Sequence, residues 1–285
     1  MMKKLQISWI IVAMLLFITA CGGGGDDDTT PVLKLKATSN DVSMVAGDAI
    51  GIFMTYGTLQ QTGNYLDNLR MHTDGSSWIM EKTCSWKDKT SKADFYAYAP
   101  YNAVLSNPLA YAFSVNEDQS TVDKQKTSDL LWCKLDAQSS TASVLTLTMK
   151  RLFARLVIKV EAGEGVTTRD LTEGSLVTCI NGVQNQAIVN LQDGTIQPKG
   201  DNGSIIPLLE KELLYGAILV PQKVEGTGLV KVTWNGVDYT LSRSMTFESG
   251  KQYTLTVKIN QSAGSINIGI SQWEIIEEDY GGTVY

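Results

Sequence analysis

The sequence predicts an all-β protein made of two β-sandwich domains in tandem, on three observations. Apolar and polar residues alternate with a period of two over many short runs, and each run is bounded by Gly, Asn, Asp or Pro. Asn235-Gly236 separates the alternating runs Gly228–Trp234 and Val237–Leu241, the strongest hairpin signal in the chain. No segment carries a long amphipathic helical pattern, and Thr127–Leu135 (TSDLLWCKL) suits at most a couple of helical turns. Short strands with turn chemistry between them argue for sandwiches over a parallel α/β sheet.

Taken in order, a first strand is expected at Pro31–Ala37, then a Ser39-Asn40-Asp41 turn, then Gly47-Asp48 ahead of a second strand at Ile50–Tyr56. Asp94–Tyr98 (DFYAY) is short and aromatic, and Ala99-Pro100-Tyr101 ends it because proline cannot donate to a ladder. Val144–Val160 is the longest run, and its phase changes partway. Leu145, Leu147 and Met149 share one parity, whereas Leu152, Ala154, Leu156, Ile158 and Val160 share the other. A one-residue slip exchanges the faces of a strand, so a bulge or a sheet-changing bend is expected near Lys150-Arg151. Further strands are expected at Leu176–Ile180 and Ala187–Leu191 around an Asn181-Gly182 turn, with Asp193-Gly194 a second turn. Leu213–Val220, Gln252–Ile259 and Ser265–Trp273 complete the set. Ala162–Thr168 reads as a linker, giving expected domains at residues 31–163 and 164–285.

The amino terminus concerns address and attachment. Lys3 and Lys4 precede an apolar run, Ile7–Ala20, that is shorter than the roughly 20 residues a membrane-spanning helix needs, so residues 1–20 read as a secretory signal. Ile18-Thr19-Ala20-Cys21 resembles the bacterial lipobox, which implies cleavage before Cys21 and lipidation of its thiol and amino group. An ordinary signal with a cysteine at the cut is the plainer alternative. Residues 21–30 then form a glycine-rich, acidic tether. Glycine makes it flexible, and Asp26, Asp27 and Asp28 hold it away from anionic head groups. Acid just after the lipidated cysteine resembles the surface-export signal of Bacteroides-type lipoproteins, implying the outer face of the outer membrane.

Loss of residues 1–20 removes two lysines from 24 basic residues and leaves 30 acids, a net charge of −8. Such a chain repels phosphate backbones, which argues against nucleic acid as a partner. Cys84, Cys133 and Cys179 remain, with no CxxC spacing; one disulfide or three free thiols both suit the composition.

Seven segments in order resemble the Bacteroides-type fimbrillin family of type V pilus subunits. They are GDAIGIFM (Gly47–Met54), KADFYAYAPY (Lys92–Tyr101), TSDLLW (Thr127–Trp132), LTMKRLFARLVIKV (Leu147–Val160), LVPQKV (Leu219–Val224), FESGKQYTLTVKI (Phe247–Ile259) and INIGISQWE (Ile266–Glu274). Lys150 departs from the family, where many members carry histidine. The resemblance implies two transthyretin-like sandwiches and a non-catalytic role in adhesion as a pilus structural, anchor or accessory subunit. It also implies assembly with other fimbrial subunits by donor-strand exchange, after an arginine-specific protease removes the lipidated first strand. This chain has no arginine between Cys21 and Arg70, only Lys34 and Lys36, which implies either processing by a different, lysine-tolerant protease or, the preferred reading, an anchor or accessory subunit that keeps its lipid. Ile275–Tyr285 is the candidate donor segment, or a frayed terminus. A host or bacterial surface receptor is a further expected partner.

Catalytic and cofactor chemistry has little to build on. His72, the sole histidine, lies in MHTDGSSW beside Asp74, Ser76 and Ser77 and is expected in a solvated loop. Asp26–Asp28 and the run Glu277-Glu278-Asp279 read as solvated charge, and Asp201-Asn202-Gly203 as a turn lacking the glutamate of a calcium loop. No phosphate loop or GxSxG occurs, so no catalytic, metal or cofactor residues are assigned. Trp78, Trp86, Tyr96, Tyr98, Tyr101 and Tyr111 are expected in the core, since alternating aromatics in a sandwich mostly pack inward. The rival reading is a surface glycan-binding lipoprotein of a polysaccharide-uptake system, which would instead expose them as a stacking platform.

Overall fold

The computed structural model describes residues 30–40, 42–226, 228–262, 265–268 and 278–279. Among the described residues, twenty strands and two short helices follow one another. The first part holds β1 (Lys34–Ser39), β2 (Ala49–Thr55), β3 (Leu66–Thr73), β4 (Trp78–Met80), β5 (Lys92–Ala99), β6 (Tyr111–Ser114), α1 (Val122–Ser128), β7 (Leu131–Ser139) and β8 (Val144–Arg151). Then come β9 (Ala154–Ala162), α2 (Thr168–Glu173), β10 (Leu176–Asn190), β11 (Thr195–Ile205), β12 (Leu208–Lys211), β13 (Leu214–Leu219) and β14 (Gln222–Val224). β15 (Val230–Trp234), β16 (Val237–Leu241), β17 (Met245–Phe247), β18 (Lys251–Ser262), β19 (Ser265–Ile268) and β20 (Glu278–Asp279) end the order. The all-β expectation holds.

Strand pairing builds a seven-stranded sheet in the order β1-β8-β7-β5-β2-β3-β4. A second sheet runs β11-β10-β15-β16 with β6 also on β10, and a third runs β12-β13-β9-β18-β19 with β20 on β18. The small pair β14-β17 completes the set. The phase change in Val144–Val160 is a change of sheet: β8 ends in the first sheet at Arg151, and β9 starts in the third at Ala154. The changeover therefore falls at Leu152-Phe153, directly after the bend expected near Lys150-Arg151.

Two cores result. One lies inside the rolled first sheet and contains Leu33, Leu35, Ile50, Ile52, Met54, Trp86, Phe95, Ala97, Leu131, Cys133, Leu147 and Met149. The other joins Phe53, Tyr96, Tyr98 and Trp132 on the outer face of that sheet to the strands of the remaining sheets. β2 and β5 thus bury both faces, which is why their runs are almost continuously apolar. The excursion between β5 and β7 reinforces the junction. β6 pairs with β10, and Gln119, fully buried, donates Nε2 to the Ile218 carbonyl at 2.8 Å and accepts from the Ile218 amide at 2.8 Å. Arg151 at the end of β8 donates Nε to Asp129 at 2.6 Å, tying it to the cap of α1.

Several local expectations are corrected. Asn181-Gly182 is not a turn: β10 runs through it with a register shift opposite β11, and Gly182 takes φ +71 as a bulge residue. Asp201-Asn202-Gly203 lies within β11, not in a turn. Helix α1 starts five residues ahead of the predicted segment Thr127–Leu135 and shares only Thr127 and Ser128 with it, with Thr121 as its N-cap, and Leu131–Ser139 is strand β7. The Asn235-Gly236 hairpin is as expected, with φ of +50 and +81 at the two turn residues.

Replacing Gln119 with alanine strands both polar groups of Ile218 in the core. It is expected to lower unfolding stability by about 1–3 kcal/mol in urea denaturation, whereas Lys36→Ala on the exposed side of β1 stays within about 0.5 kcal/mol.

Candidate functional site: the first strand and its groove

β1 alternates strictly, with Leu35 and Ala37 buried and Lys34, Lys36 and Thr38 exposed. Leu33, one residue ahead, is 1% exposed, so three apolar side chains enter the first core from one edge. Among the described residues β1 forms a ladder with one strand, β8. β1 runs parallel to β8 from Lys34 opposite Val144 to Ser39 opposite Met149, and it is the terminal strand of its sheet. On its amino-terminal side, Leu33 donates its amide to Cys84 at 2.8 Å, and Trp86 donates to Pro31 at 3.0 Å. Leu147 and Met149 of β8, Ile50 and Ile52 of β2, and Trp86 belong to the same cluster. Without β1 they would line an apolar groove beside an unpaired ladder edge, the arrangement that β-augmentation uses.

The other sequence-predicted residues do not converge. Cys21, the Asp26–Asp28 run and most of Ile275–Tyr285 lie outside the described residues; within the last, Glu278 and Asp279 pair with Gln252 and Lys251 of β18. His72 sits in strand β3, opposite Ala49 and Ile79, not in a loop. The neighbouring Asp74 spends its Oδ1 on the amides of Ser77 (2.7 Å) and Ser76 (2.8 Å) in the β3–β4 turn. Those amides hold its carboxyl below the usual range, so it caps a turn and does not orient an imidazole. Among the described residues no group of three or more His, Cys, Asp or Glu side chains gathers as a metal site.

Cys84, Cys133 and Cys179 are all free thiols. Burial pushes Cys133 up to about 11 and raises Cys84 as well, while Cys179 is only half-buried on β10. The aromatic residues are largely core. Trp86, Tyr96, Tyr98 and Tyr111 are 1%, 3%, 0% and 4% exposed, and Tyr98 meets Tyr111 edge-on with centroids 5.3 Å apart. Sequence reasoning did not find that β1 pairs with β8, because no local signal reports a contact between segments so far apart.

Residues 36–273 match the family described as Fimbrillin-like. The chain belongs to the fimbrillin-like family. It is 24% identical over 256 residues to Fim1C of Bacteroides uniformis, described as a candidate fimbrium subunit, covering 85% of this chain and 82% of that one. In fold it is similar to a candidate cell adhesion protein from Bacteroides uniformis, with TM-score 0.68 and 23% identity over 90% of this chain and all of the other. A candidate cell adhesion protein from Bacteroides ovatus gives 0.62 and 19% over 88% of this chain and all of the other. The tip fimbrial protein Mfa3 of Porphyromonas gingivalis, truncated at its C terminus, gives 0.52 and 11% over 84% and 98% of the two chains. The resemblance seen in seven short segments is thus a family relationship along most of this fimbrillin-like chain.

Truncating Leu35 to alanine is expected to cost about 2–5 kcal/mol, read as a lowered denaturation midpoint, because it empties part of the first core. Alkylation of the native protein at pH 8, followed by peptide mapping, is expected to label Cys179 well before Cys84 or Cys133, and all three after unfolding.

Proposed function

We propose that this chain is a non-catalytic, surface-exposed fimbrial subunit, lipidated at Cys21 on the outer membrane, that meets its neighbours by strand pairing. The observation that carries the reading is β1: an edge strand with a single ladder partner among the described residues, whose apolar side chains fill a groove. A neighbour's strand of similar alternation would satisfy the same amides and the same apolar surface. The names of its relatives, a fimbrium subunit and cell adhesion proteins, agree with a role in adhesion.

The sequence around β1 favours a subunit that retains its first strand. The connection from Asn40 to Asp48 contains no lysine or arginine, and Lys34 and Lys36 lie within the hydrogen-bonded strand itself. A protease of basic specificity therefore has no loop site at which to free β1. An anchor or accessory position, in which β1 seals its own groove, follows from that gap. The rival reading as an aromatic glycan platform is disfavoured by the burial of Trp86, Tyr96, Tyr98 and Tyr111.

The test is trypsin treatment followed by denaturing electrophoresis without boiling. The unaltered protein is expected to stay monomeric, while Ala46→Arg, which places a basic residue in the exposed β1–β2 connection, is expected to yield detergent-resistant ladders. Ladders from the unaltered chain would contradict retention of β1. Cleaved Ala46→Arg protein that forms none would contradict strand exchange.

A further inference from the structure

The outer face of the first sheet is not wholly covered by the second core. Beyond Tyr98 and Trp132, which the other sheets bury, a depression of about 420 Å³ remains at the edge of the junction. Its floor comes from β5, where Lys92, Asp94 and Tyr96 share one face, and from Lys134, which lies opposite Tyr96 on β7. Thr58 after β2 and Gln192 after β10 close the sides, so both parts of the fold contribute to it.

We propose that this depression is a binding site for a neutral saccharide unit. Its polar groups are of mixed character and are largely unspent within the fold. Asp94 uses Oδ1 to accept the Ala137 amide at 2.6 Å, leaving Oδ2 as an acceptor. Lys92 forms no ion pair among the described residues, and the Gln192 side chain offers both a donor and an acceptor. Burial, with Asp94 nearby, raises Tyr96 above its ordinary value, so its hydroxyl stays protonated at neutral pH and can donate. A pyranose, whose hydroxyls both donate and accept around a less polar ring, matches such a set. An inorganic anion does not, because Asp94 and Asp136 offset the two lysines.

The groups are also held in place. Asp94 is fixed by the Ala137 amide, and the Lys134 ammonium is held 2.8 Å from Asp136 and 5.7 Å from the Tyr96 ring centroid. Gln192 follows Leu191, whose carbonyl accepts Trp132 Nε1 at 2.8 Å, and its own amide donates to Asn190 Oδ1 at 2.9 Å. Such positioning removes part of the ordering cost of binding a small polar ligand. The site is independent of the strand-pairing reading, since no residue of β1 or its groove contributes to it.

The experiment is saturation-transfer NMR on the full chain with four neutral disaccharides (lactose, cellobiose, mannobiose and diacetylchitobiose) and sodium glucuronate. At least one neutral sugar is expected to receive saturation, and Lys92→Ala combined with Gln192→Ala is expected to weaken it about tenfold, with Lys36→Ala leaving it unchanged. An unchanged melting temperature in the double variant separates lost contacts from lost fold. Transfer to none of the four sugars, transfer that survives the double variant, or transfer to glucuronate alone would each overturn the proposal.

Discussion

The rest of the molecule depends on the seating of one edge strand. Among the described residues β8 is the one strand that forms a ladder with β1, yet Leu33, Leu35 and Ala37 are all buried in the first core. A buried leucine contributes about 1.5–3 kcal/mol relative to its exposed state, so the side chains hold the strand alongside its ladder. Its departure would expose Leu147, Met149 and Trp86 together with the free edge of β8. A sheet with that edge open is a template for any chain of matching alternation. Stability of the first core and association with a neighbour are therefore two readings of the same contact.

The second constraint is the sharing of the first sheet by both cores. Rings run across the junction edge to edge, from Tyr98 to Tyr111, Phe113 and Phe153, with centroid separations of 5.3, 5.7 and 5.3 Å. Such pairs add about 0.5–1.5 kcal/mol each beyond the area they bury. With Gln119 clamped on Ile218 and Trp132 on Leu191, the two parts of the chain are joined by packing and by hydrogen bonds. The aromatics of the first part are thus committed to this joint, and a ligand reaching that face meets polar groups around its margin.

Much of this was legible in the residues. The parity change in Val144–Val160 located the change of sheet, because a buried face must be restored whenever a strand passes from one layer to the next. The aromatic run Asp94–Tyr98 pointed to a core strand, and β5 is buried there on both faces. Other features were misread for physical reasons. A bulge at Gly182 uses the same positive φ as a hairpin turn, so Asn181-Gly182 carried both meanings. β11 (TIQPKGDNGSI) lacks alternation because it is exposed on both faces, and its polar residues look like a loop. In TSDLLWCKL, the run Leu130–Cys133 is buried on both faces, a pattern that suits a short helix as well as a strand. His72 was misplaced because turn residues follow it directly, and the strand that includes it ends one residue later. The parallel pairing of β1 with β8, on which the candidate groove rests, joins segments about a hundred residues apart, and loop closure over such a length leaves no local trace.

The most direct measurement asks whether the first strand can be supplied from outside. A chain lacking residues 1–40 would be refolded with increasing concentrations of a peptide of residues 31–39 (PVLKLKATS), and its thermal transition followed. A ligand that binds only the folded state stabilises it by about 2.7 kcal/mol at a hundred times its dissociation constant. The account predicts a transition that climbs with peptide and does not move with a peptide carrying serine in place of Leu33, Leu35 and Ala37. A shortened chain that melts where the full chain does, indifferent to the peptide, would contradict it.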